Sequence, residues 1–424
     1  MEIFGILFLI FIIMLSIGLH EIGHMVPAKK FGVKVTQYMI GFGPTLWSKT
    51  KGDTEYGVKA IPLGGFVRMI GMIPPAKEGA ISKGPFAEVV NTARKQSEEE
   101  IGPGDENKVF YKLSVPKKLI VMVGGPFMNL VLAFVFFAAS FTAIGIPAAT
   151  NEIKQVISCL PTDVDVLGDC LDGTEASPAL SAGLQAKDQI ISYDNKNIEN
   201  WEDLALAIQN SNEGNVDITV LRDGQELDLT AKIVKVARPS TLENQSNNPA
   251  TPYLGISPNI ILDRQPISTV FAVLGEITVG TFRVIINFPD RVAQLFSSAF
   301  LGEERDQEGL VGIVGVTRVG GEIAAADIPA LWRFATLLNL AGGLNMALFL
   351  FNLLPLLPLD GGHAAGAIYE GLRRQFAKLR GKQDPGPADT AKMLPFAYSV
   401  AILLIGLSML LLYVDIVNPI RLGG

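Results

Sequence analysis

Two histidines and a glutamate stand close together near the start of the chain, in the order His20-Glu21-Ile22-Gly23-His24. On a helix His20 and His24 are one turn apart, so both imidazoles leave the same face and can share one metal ion. Glu21 lies beside that face, where its carboxylate can act on a metal-bound water without binding the metal. The spacing therefore predicts a metal site.

This group follows directly after an apolar run, residues 3–19, that would otherwise indicate only a membrane anchor. Ionisable side chains do not belong in hydrocarbon, where one costs about 2.5–3.5 kcal/mol on insertion scales. Chance is a weak alternative, because the chain has only three histidines. A cleaved signal peptide is also a poor fit, since the chain starts Met1-Glu2 and its first positive charges, Lys29 and Lys30, follow the run.

The composition indicates a membrane protein with soluble parts. Hydrophobic residues make up 49% of the 424 residues and charged residues 18%. The apolar residues are concentrated in four runs, each close to the length of about 17–25 residues that a spanning helix needs. We predict spans at 3–19, 119–146, 335–359 and 396–414.

Charge asymmetry orients these spans. The loop 25–118 carries fifteen Lys and Arg against nine Asp and Glu, whereas 148–330 carries twelve against twenty-six. By the positive-inside rule the first loop is cytoplasmic, as is the basic segment after the third span, and the long acidic segment is outside. A fifth span at 270–288 would reverse the third span, so we interpret that run as an amphipathic helix outside the membrane.

A catalytic zinc site usually has three protein ligands and one open position. The orientation requires the third ligand to lie near the cytoplasmic end of another span, and the third span ends in Pro355-Leu-Leu-Pro358-Leu-Asp360-Gly-Gly-His363. Asp360 is the candidate, and His363 is the second choice. Prolines and glycines interrupt the helix here, so the backbone can turn Asp360 inward. A plain helix end with a solvated Asp360 is the alternative.

Two other membrane-proximal segments have distinctive residues. Residues 56–72 are predicted to form an apolar β-hairpin that either enters a protein-lined cavity near the site or is an ordinary cytoplasmic hairpin. Residues 74–107 are polar and are expected to form a loop. In the second span, Gly124-Gly125-Pro126 permits close helix contact and Asn129 needs a polar partner, for which a structural role is the simpler interpretation.

The outer segment contains a small folded domain. Between residues 153 and 236, β-branched strands and turns alternate with two helical stretches. The residues Ser177-Pro178-Ala179, Asp188-Gln-Ile-Ile191 and Trp201-Glu-Asp-Leu204 resemble the pattern of bacterial PDZ domains. Such a domain either binds a peptide as an added strand or acts as a size filter. Cys159 and Cys170 can form a disulfide in an oxidising exterior, with two free thiols as the alternative.

Taken together, these motifs resemble the site-2 protease family of intramembrane zinc metalloproteases, particularly its bacterial members with one PDZ domain. The resemblance depends on H-E-x-x-H in the first span, G-F-G-P after it, G-G-P-x-x-N in the second span, and N-x-x-P-x-x-P-x-D-G-G-H at the end of the third. It implies Zn²⁺ bound by His20, His24 and Asp360, with Glu21 as the base. It also implies that Asn352 holds the substrate backbone.

The expected fold is membrane α-helical, with about four transmembrane helices, a membrane-associated β-hairpin and an inserted extracytoplasmic α+β PDZ domain. The expected divisions are an N-terminal membrane part at 1–146, the PDZ domain at 153–236, a linker and amphipathic region at 237–330, and a C-terminal membrane part at 331–424. The expected location is the bacterial cytoplasmic membrane, with the active site near its cytoplasmic side.

The resemblance implies substrates that are transmembrane proteins, such as anti-sigma factors, cut in regulated intramembrane proteolysis. The partners are then these proteins and the lipid bilayer, and no nucleic acid is expected. One alternative is a membrane scaffold with a structural zinc and a PDZ recruitment domain, for which Glu21 would be dispensable. A zinc transporter is a weaker alternative, because the second and fourth spans carry no ionisable residue at their midplane.

Overall fold

The computed structural model describes residues 1–75, 86–160, 170, 174–236, 250–303, 305–306 and 309–419. The chain divides into two compact units. The first combines Met1–Ile144 with Gln265–Gly424, and the second is the inserted segment Gly145–Arg264. The predicted metal ligands all belong to the first unit.

The N-terminal part of the first unit is built from two long helices with a β-sheet between them in sequence. Its elements are α1 (Glu2–Lys30), β1 (Val35–Lys51), β2 (Thr54–Met69), α2 (Ala87–Glu99) and α3 (Val115–Ala138). Helix α1 continues beyond the predicted span and carries the H-E-x-x-H motif to its last turns. Helices α1 and α3 approach closely, because a Cβ atom at Gly23 would lie 2.2 Å from the Gly124 oxygen.

The predicted hairpin within 56–72 was wrong, because these residues lie in β2 and both halves of that strand pair with β1 instead of with each other. Strands β1 and β2 pair antiparallel, and the G-F-G-P motif, Gly41-Phe42-Gly43-Pro44, lies inside β1. Gly41 and Gly43 have φ values of +90° and +83°, and the register shifts here. Glycine adopts this backbone without a steric penalty, so the segment bends the strand without ending it.

The predicted polar loop at 74–107 was wrong in part, because α2 lies within it. Residues 76–85 of that loop are outside the described residues. The helix is rich in Glu, Lys, Arg and Gln, which are good helix formers. Its Arg94 is buried and donates two hydrogen bonds to Asp389, at 2.8 and 2.6 Å. A tertiary ion pair thus anchors this polar helix to the segment before the last span.

The second unit is a mixed α+β fold. Its elements are β3 (Ile146–Val156), α4 (Pro178–Ser181), β4 (Gln189–Tyr193), β5 (Lys196–Asn197), α5 (Trp201–Gln209), β6 (Gly214–Arg222), β7 (Gln225–Val236), β8 (Thr251–Tyr253) and β9 (Ile256–Asp263). The strand order is β8-β7-β6-β4-β3-β9, and β5 pairs with β4. The unit is longer than 153–236 because its end strands pair with each other, Ile146 opposite Asp263.

Several residues of the PDZ-like pattern hold this unit together. Ser177 caps α4, and its hydroxyl accepts a hydrogen bond from the Leu180 amide at 3.1 Å. Asp188 is fully buried and accepts two hydrogen bonds from Arg222, at 2.6 and 2.7 Å. Cys159 and Cys170 form a disulfide. Residues 237–249 of the predicted linker lie outside the described residues, and the PDZ assignment stays a prediction.

The C-terminal part of the first unit is helical. Its elements are α6 (Ile267–Ile286), α7 (Phe288–Phe300), α8 (Ile313–Ala325), α9 (Ala330–Asn352), α10 (Asp360–Leu379) and α11 (Leu394–Val417). The third span was predicted to continue to residue 359, but α9 ends at Asn352 and α10 begins at Asp360. Pro355 and Pro358 cause this break, because proline lacks an amide hydrogen and disfavours the helical conformation before it.

Five described helices are long and apolar enough to cross a membrane: α1, α3 with its extension to Ile144, α6, α9, and α11 with the turn before it. Four of them coincide with the predicted spans. The fifth, α6, was expected outside the membrane, but it packs against α3 and α9, and Phe271 contacts Phe134 with ring centroids 5.4 Å apart. The length and composition of these helices are those of a multi-pass membrane protein.

Candidate metal centre

Helix α1 presents both histidines of the motif to one point. His20 and His24 are one helical turn apart, and their ring centroids are separated by 4.9 Å. Their Nε2 atoms lie 3.2 Å from each other. The His24 side chain is 7% exposed and the His20 side chain 12%, so both rings are largely shielded from solvent.

Asp360 reaches the same point from the first turn of α10. Its Oδ2 atom lies 3.2 Å from Nε2 of His20 and 3.3 Å from Nε2 of His24. The glycines after it allow this approach, because a Cβ atom at Gly361 would lie 2.3 Å from the Leu354 oxygen. The segment between α9 and α10 therefore folds directly against the start of α10 and fixes the position of Asp360.

The three donor atoms fit a zinc ion. Each residue offers one ligand atom, and these atoms all lie within 4.8 Å of one another. Two atoms bound to a tetrahedral zinc ion at about 2.0 Å are about 3.3 Å apart, which matches the spacing of these donors. Among the described residues the group has three members, and three protein ligands with one open position are typical of catalytic zinc.

Helix α3 supplies the groups that contact the Nδ1 atoms of the two histidines. The Nδ1 hydrogen of His24 donates to the Val121 carbonyl at 2.7 Å, which leaves Nε2 free to bind a metal. The side-chain amide of Asn129 lies 3.0 Å from Nδ1 of His20. Between them, Gly125 leaves room for the His24 ring, because a Cβ atom there would lie 2.1 Å from His24 Nε2.

Sequence reasoning missed these roles of α3, although it singled out its G-G-P-x-x-N motif. The glycines were expected to permit close helix contact, and Gly23 and Gly124 do meet across the α1–α3 interface. The motif does not reveal which residues of α1 the α3 residues contact. That requires the register of the two helices, which places His24 against Gly125 and His20 against Asn129.

His20, His24 and Asp360 are called the ligand group below. Glu21 lies beside this group and against the sheet. A Cβ atom at Gly65 of β2 would be 3.2 Å from Cγ of Glu21, so glycine lets this strand run past the carboxylate. The backbone of Val67, two residues further along β2, hydrogen-bonds to Glu21. The Tyr38 hydroxyl donates to the Gly18 carbonyl at 2.8 Å, and burial together with the nearby Glu21 raises the pKa of Tyr38 to about 12. Its phenol therefore stays protonated.

The second-choice ligand, His363, does not belong to the ligand group. Burial lowers the pKa of His363, so its ring is neutral at neutral pH. Burial would raise the pKa of Asp360, but the close His20 and His24 side chains outweigh it and hold that pKa well below the usual range. Asp360 is thus a carboxylate, the form that binds a metal.

A buried ion pair fixes α10 against α3. Lys118 donates to Glu370 at 2.8 Å, and both side chains are at most 5% exposed. Glu370 also accepts a hydrogen bond from the Ala388 amide at 3.0 Å. The helix that provides Asp360 is thereby tied to the helix that supports His20 and His24.

Asn352 is the last residue of α9 and is half-buried. In the part of the chain that the structure describes, its side chain makes no hydrogen bond. Its amide is therefore available to another molecule, although it takes no part in the ligand group.

Comparison with known proteins finds a peptidase family and several metalloproteases that are similar to this chain. The model of peptidase family M50 matches residues 8–384. The chain is 32% identical over 431 residues to the zinc metalloprotease Rip1 of Mycobacterium tuberculosis, covering 99% of this chain and 98% of the relative. It is 32% identical over 434 residues to Rip1 of Mycolicibacterium smegmatis, with the same coverage. It is 25% identical over 378 residues to the metalloprotease MmpA of Caulobacter vibrioides, covering 87% and 86%.

Proposed function

This chain belongs to peptidase family M50, and we propose that it cleaves peptide bonds in or near the transmembrane segments of other membrane proteins. It is a zinc metalloprotease. The observation that carries the proposal is the convergence of His20, His24 and Asp360, from two helices far apart in sequence, on one point inside a bundle of apolar helices. A scaffold with a structural zinc would need four ligands, and this group has three among the described residues.

We assign His20, His24 and Asp360 as the zinc ligands and Glu21 as the general base. When bound, Zn²⁺ supplies a Lewis acid that polarises a peptide carbonyl and makes water more acidic. The Glu21 carboxylate takes a proton from the attacking water and returns it to the leaving amine. Its place beside the ligands but outside their group supports this division of roles.

A transmembrane substrate brings a further requirement, since every carbonyl in its helix is already hydrogen-bonded and the helix must unwind before attack. Strand β2 passes Glu21 at Gly65 and Val67, and Asn352 has a free amide at the end of α9. We propose that β2 and Asn352 hold the unwound segment of the substrate in an extended conformation. Main-chain hydrogen bonds to a strand are a common means of binding peptides in this form.

We place the second unit outside the cytoplasm and the metal centre towards the cytoplasmic side of a bacterial inner membrane. The charge asymmetry of the loops supports this orientation, and so does the disulfide between Cys159 and Cys170, because disulfides persist in oxidising compartments. We further propose that the second unit contains a PDZ domain and that the substrates are single-span regulators such as anti-sigma factors.

The proposed activity is tested with the purified chain in vesicles that contain a single-span substrate tagged at both ends. We expect a cut within or next to the apolar segment of the substrate, located by mass spectrometry of the two products. A zinc chelator should stop the reaction, and added Zn²⁺ should restore it. Cleavage confined to loops far from the membrane, or unaffected by chelation, would contradict the proposal.

The ligand assignment is tested by comparing two substitutions on α10. Asp360→Asn should lose bound zinc, because a neutral amide is a poor zinc ligand. His363→Gln should keep one zinc per chain, because His363 lies outside the group. Metal analysis of the purified variants measures the zinc bound per chain. The opposite result would make His363 the third ligand.

A further inference from the structure

The structure suggests a role for one residue of α3 that the reaction scheme does not use. We propose that Asn129 is a positioning residue for His20: its side-chain oxygen accepts the Nδ1 hydrogen of that ring and so holds Nε2 towards the metal. This inference rests on the proposed function only in taking His20 as a zinc ligand.

The first observation is the environment of the amide. Asn129 is 1% exposed, and its Nδ2 atom lies 3.0 Å from Nδ1 of His20. Its Oδ1 atom is buried and has no hydrogen-bond partner among the described residues. A buried polar atom without a partner costs about 1–3 kcal/mol, so an amide kept here needs a reason.

The second observation is the chemistry of a neutral imidazole, which carries one hydrogen on its two nitrogens. When Nε2 of His20 binds a metal, the hydrogen is on Nδ1, and the neighbour must accept it. A half-turn of the Asn129 amide exchanges its nitrogen and oxygen, which have nearly the same shape. The turned amide brings Oδ1 to His20 and gives this atom the partner it otherwise lacks.

The third observation is the arrangement of α3 as a whole. Val121, Gly125 and Asn129 follow one another at intervals of four residues, so they share one face of the helix. Val121 accepts from His24, Gly125 makes room for the His24 ring, and Asn129 contacts His20. One face therefore provides an acceptor for the outer nitrogen of each histidine, a backbone carbonyl for His24 and a side chain for His20.

A purely structural amide predicts different behaviour. Interhelical amides also join membrane helices by packing and hydrogen bonding, without any part in metal binding. Asn345 of α9 is such a residue: it is fully buried, it donates to the Ser16 hydroxyl at 2.9 Å, and its Oδ1 also lacks a partner. Among the described residues it hydrogen-bonds to none of the three proposed zinc ligands, so it provides a matched control at α1 one turn before His20.

The test compares zinc binding by three purified variants that elute as folded protein. Asn129→Leu keeps the size of the side chain and removes the acceptor, and it should weaken zinc binding by about 10–100-fold. Asn129→Asp keeps an acceptor and should bind zinc within a few fold of the unsubstituted chain. Asn345→Leu should bind zinc as the unsubstituted chain does. Zinc transfer to a fluorescent chelator measures all three.

Two outcomes would overturn the inference. One is zinc binding by Asn129→Leu that equals the unsubstituted chain. The other is a loss in Asn345→Leu as large as that in Asn129→Leu, because general loosening of the bundle would then explain both. A His20→Ala variant that retains full zinc affinity would instead mean that the ligand assignment itself has failed.

Discussion

At the scale of single residues, the metal centre depends on a few atoms whose identity the sequence reveals and on others that it conceals. The spacing of His20 and His24 predicted that they share a face, and the structure places their Nε2 atoms 3.2 Å apart. Asp360 was proposed from the orientation of the spans and the need of the H-E-x-x-H motif for a third ligand, and it lies with the two histidines. The support from α3 was not predicted, because a backbone carbonyl such as that of Val121 leaves no mark in the sequence.

A glycine gives the sharpest prediction at this scale. Gly125→Ala should reduce the zinc content of the purified chain, because the new Cβ atom would lie 2.1 Å from Nε2 of His24 and must displace the ring. Gly343→Ala in α9 is the matched control, since no atom lies within 4 Å of a Cβ there, and it should leave zinc binding unchanged. Metal analysis of both purified variants measures their zinc content. Equal zinc contents would contradict the close contact between Gly125 and the His24 ring.

At the scale of elements, the apolar runs were easily predicted and their ends were not. Helix α9 stops seven residues before the predicted end, because Pro355 and Pro358 break it and a new helix starts at Asp360. Asp360 is thus not a helix end turned inward but the first residue of α10. The apolar pattern continues across the break, so hydrophobicity alone does not reveal it.

A long apolar helix such as α6 need not reverse the direction in which the later helices run through the bundle. Helices α1 and α3 are antiparallel, so the start of α1 and the end of α3 lie at the same end of the bundle. Helix α6 begins at that end, where the Gln265 amide donates to the Phe141 carbonyl at 2.9 Å.

Helix α7 returns to the same end. It packs along α11. Close to the end of α11, the Phe300 ring stacks on the Tyr413 ring, and the two ring centroids are 5.9 Å apart. There Asp415 accepts a hydrogen bond from the Gly315 amide of α8 at 2.8 Å. Helix α8 in turn packs on the first turns of α1, where Gly320 meets Gly5. The pair α6 and α7 therefore starts and finishes at the same end of the bundle, in agreement with the proposed orientation of α9.

The proposed holding of the substrate gives a prediction for the end of α9. Asn352→Leu should slow cleavage of a transmembrane substrate without loss of zinc, because the residue lies outside the ligand group. A short peptide that is already extended should be affected less, since it needs less help to stay unwound. Cleavage rates and zinc content are measured on the same preparation. Unchanged turnover of the transmembrane substrate would refute a role for Asn352 in holding it.

At the scale of the whole molecule, the sequence predicted an inserted outer domain but not its limits. Its turn and strand pattern begins at about residue 153, whereas the compact unit runs from Gly145 to Arg264. The additional residues pair with each other as β3 and β9, and pairing between segments more than a hundred residues apart is not visible in local patterns. The disulfide between Cys159 and Cys170 was one of two open alternatives and is present.

The orientation of the chain can be tested by labelling single cysteines with a reagent that does not cross membranes. Lys232 is exposed in the second unit and Lys95 is exposed on α2 of the first. Lys232→Cys should react once the inner membrane is accessible from outside, and Lys95→Cys should react only after that membrane is permeabilised. Both substitutions are made in a Cys159→Ser, Cys170→Ser background. The reverse pattern would invert the proposed topology and the placement of the metal centre.

The proposed hydrolysis of peptide bonds at the metal centre, with Glu21 as the base, is tested by comparing two substitutions. Glu21→Gln is assayed with a tagged single-span substrate, beside Glu276→Gln, which changes an exposed glutamate on another apolar helix, α6. Loss of a general base predicts a rate lower by about 10²–10⁴-fold in Glu21→Gln, with zinc still bound, and an unchanged rate in the control. Cleavage by Glu21→Gln at the rate of the unsubstituted chain would show that Glu21 is not the base and would contradict hydrolysis at this centre.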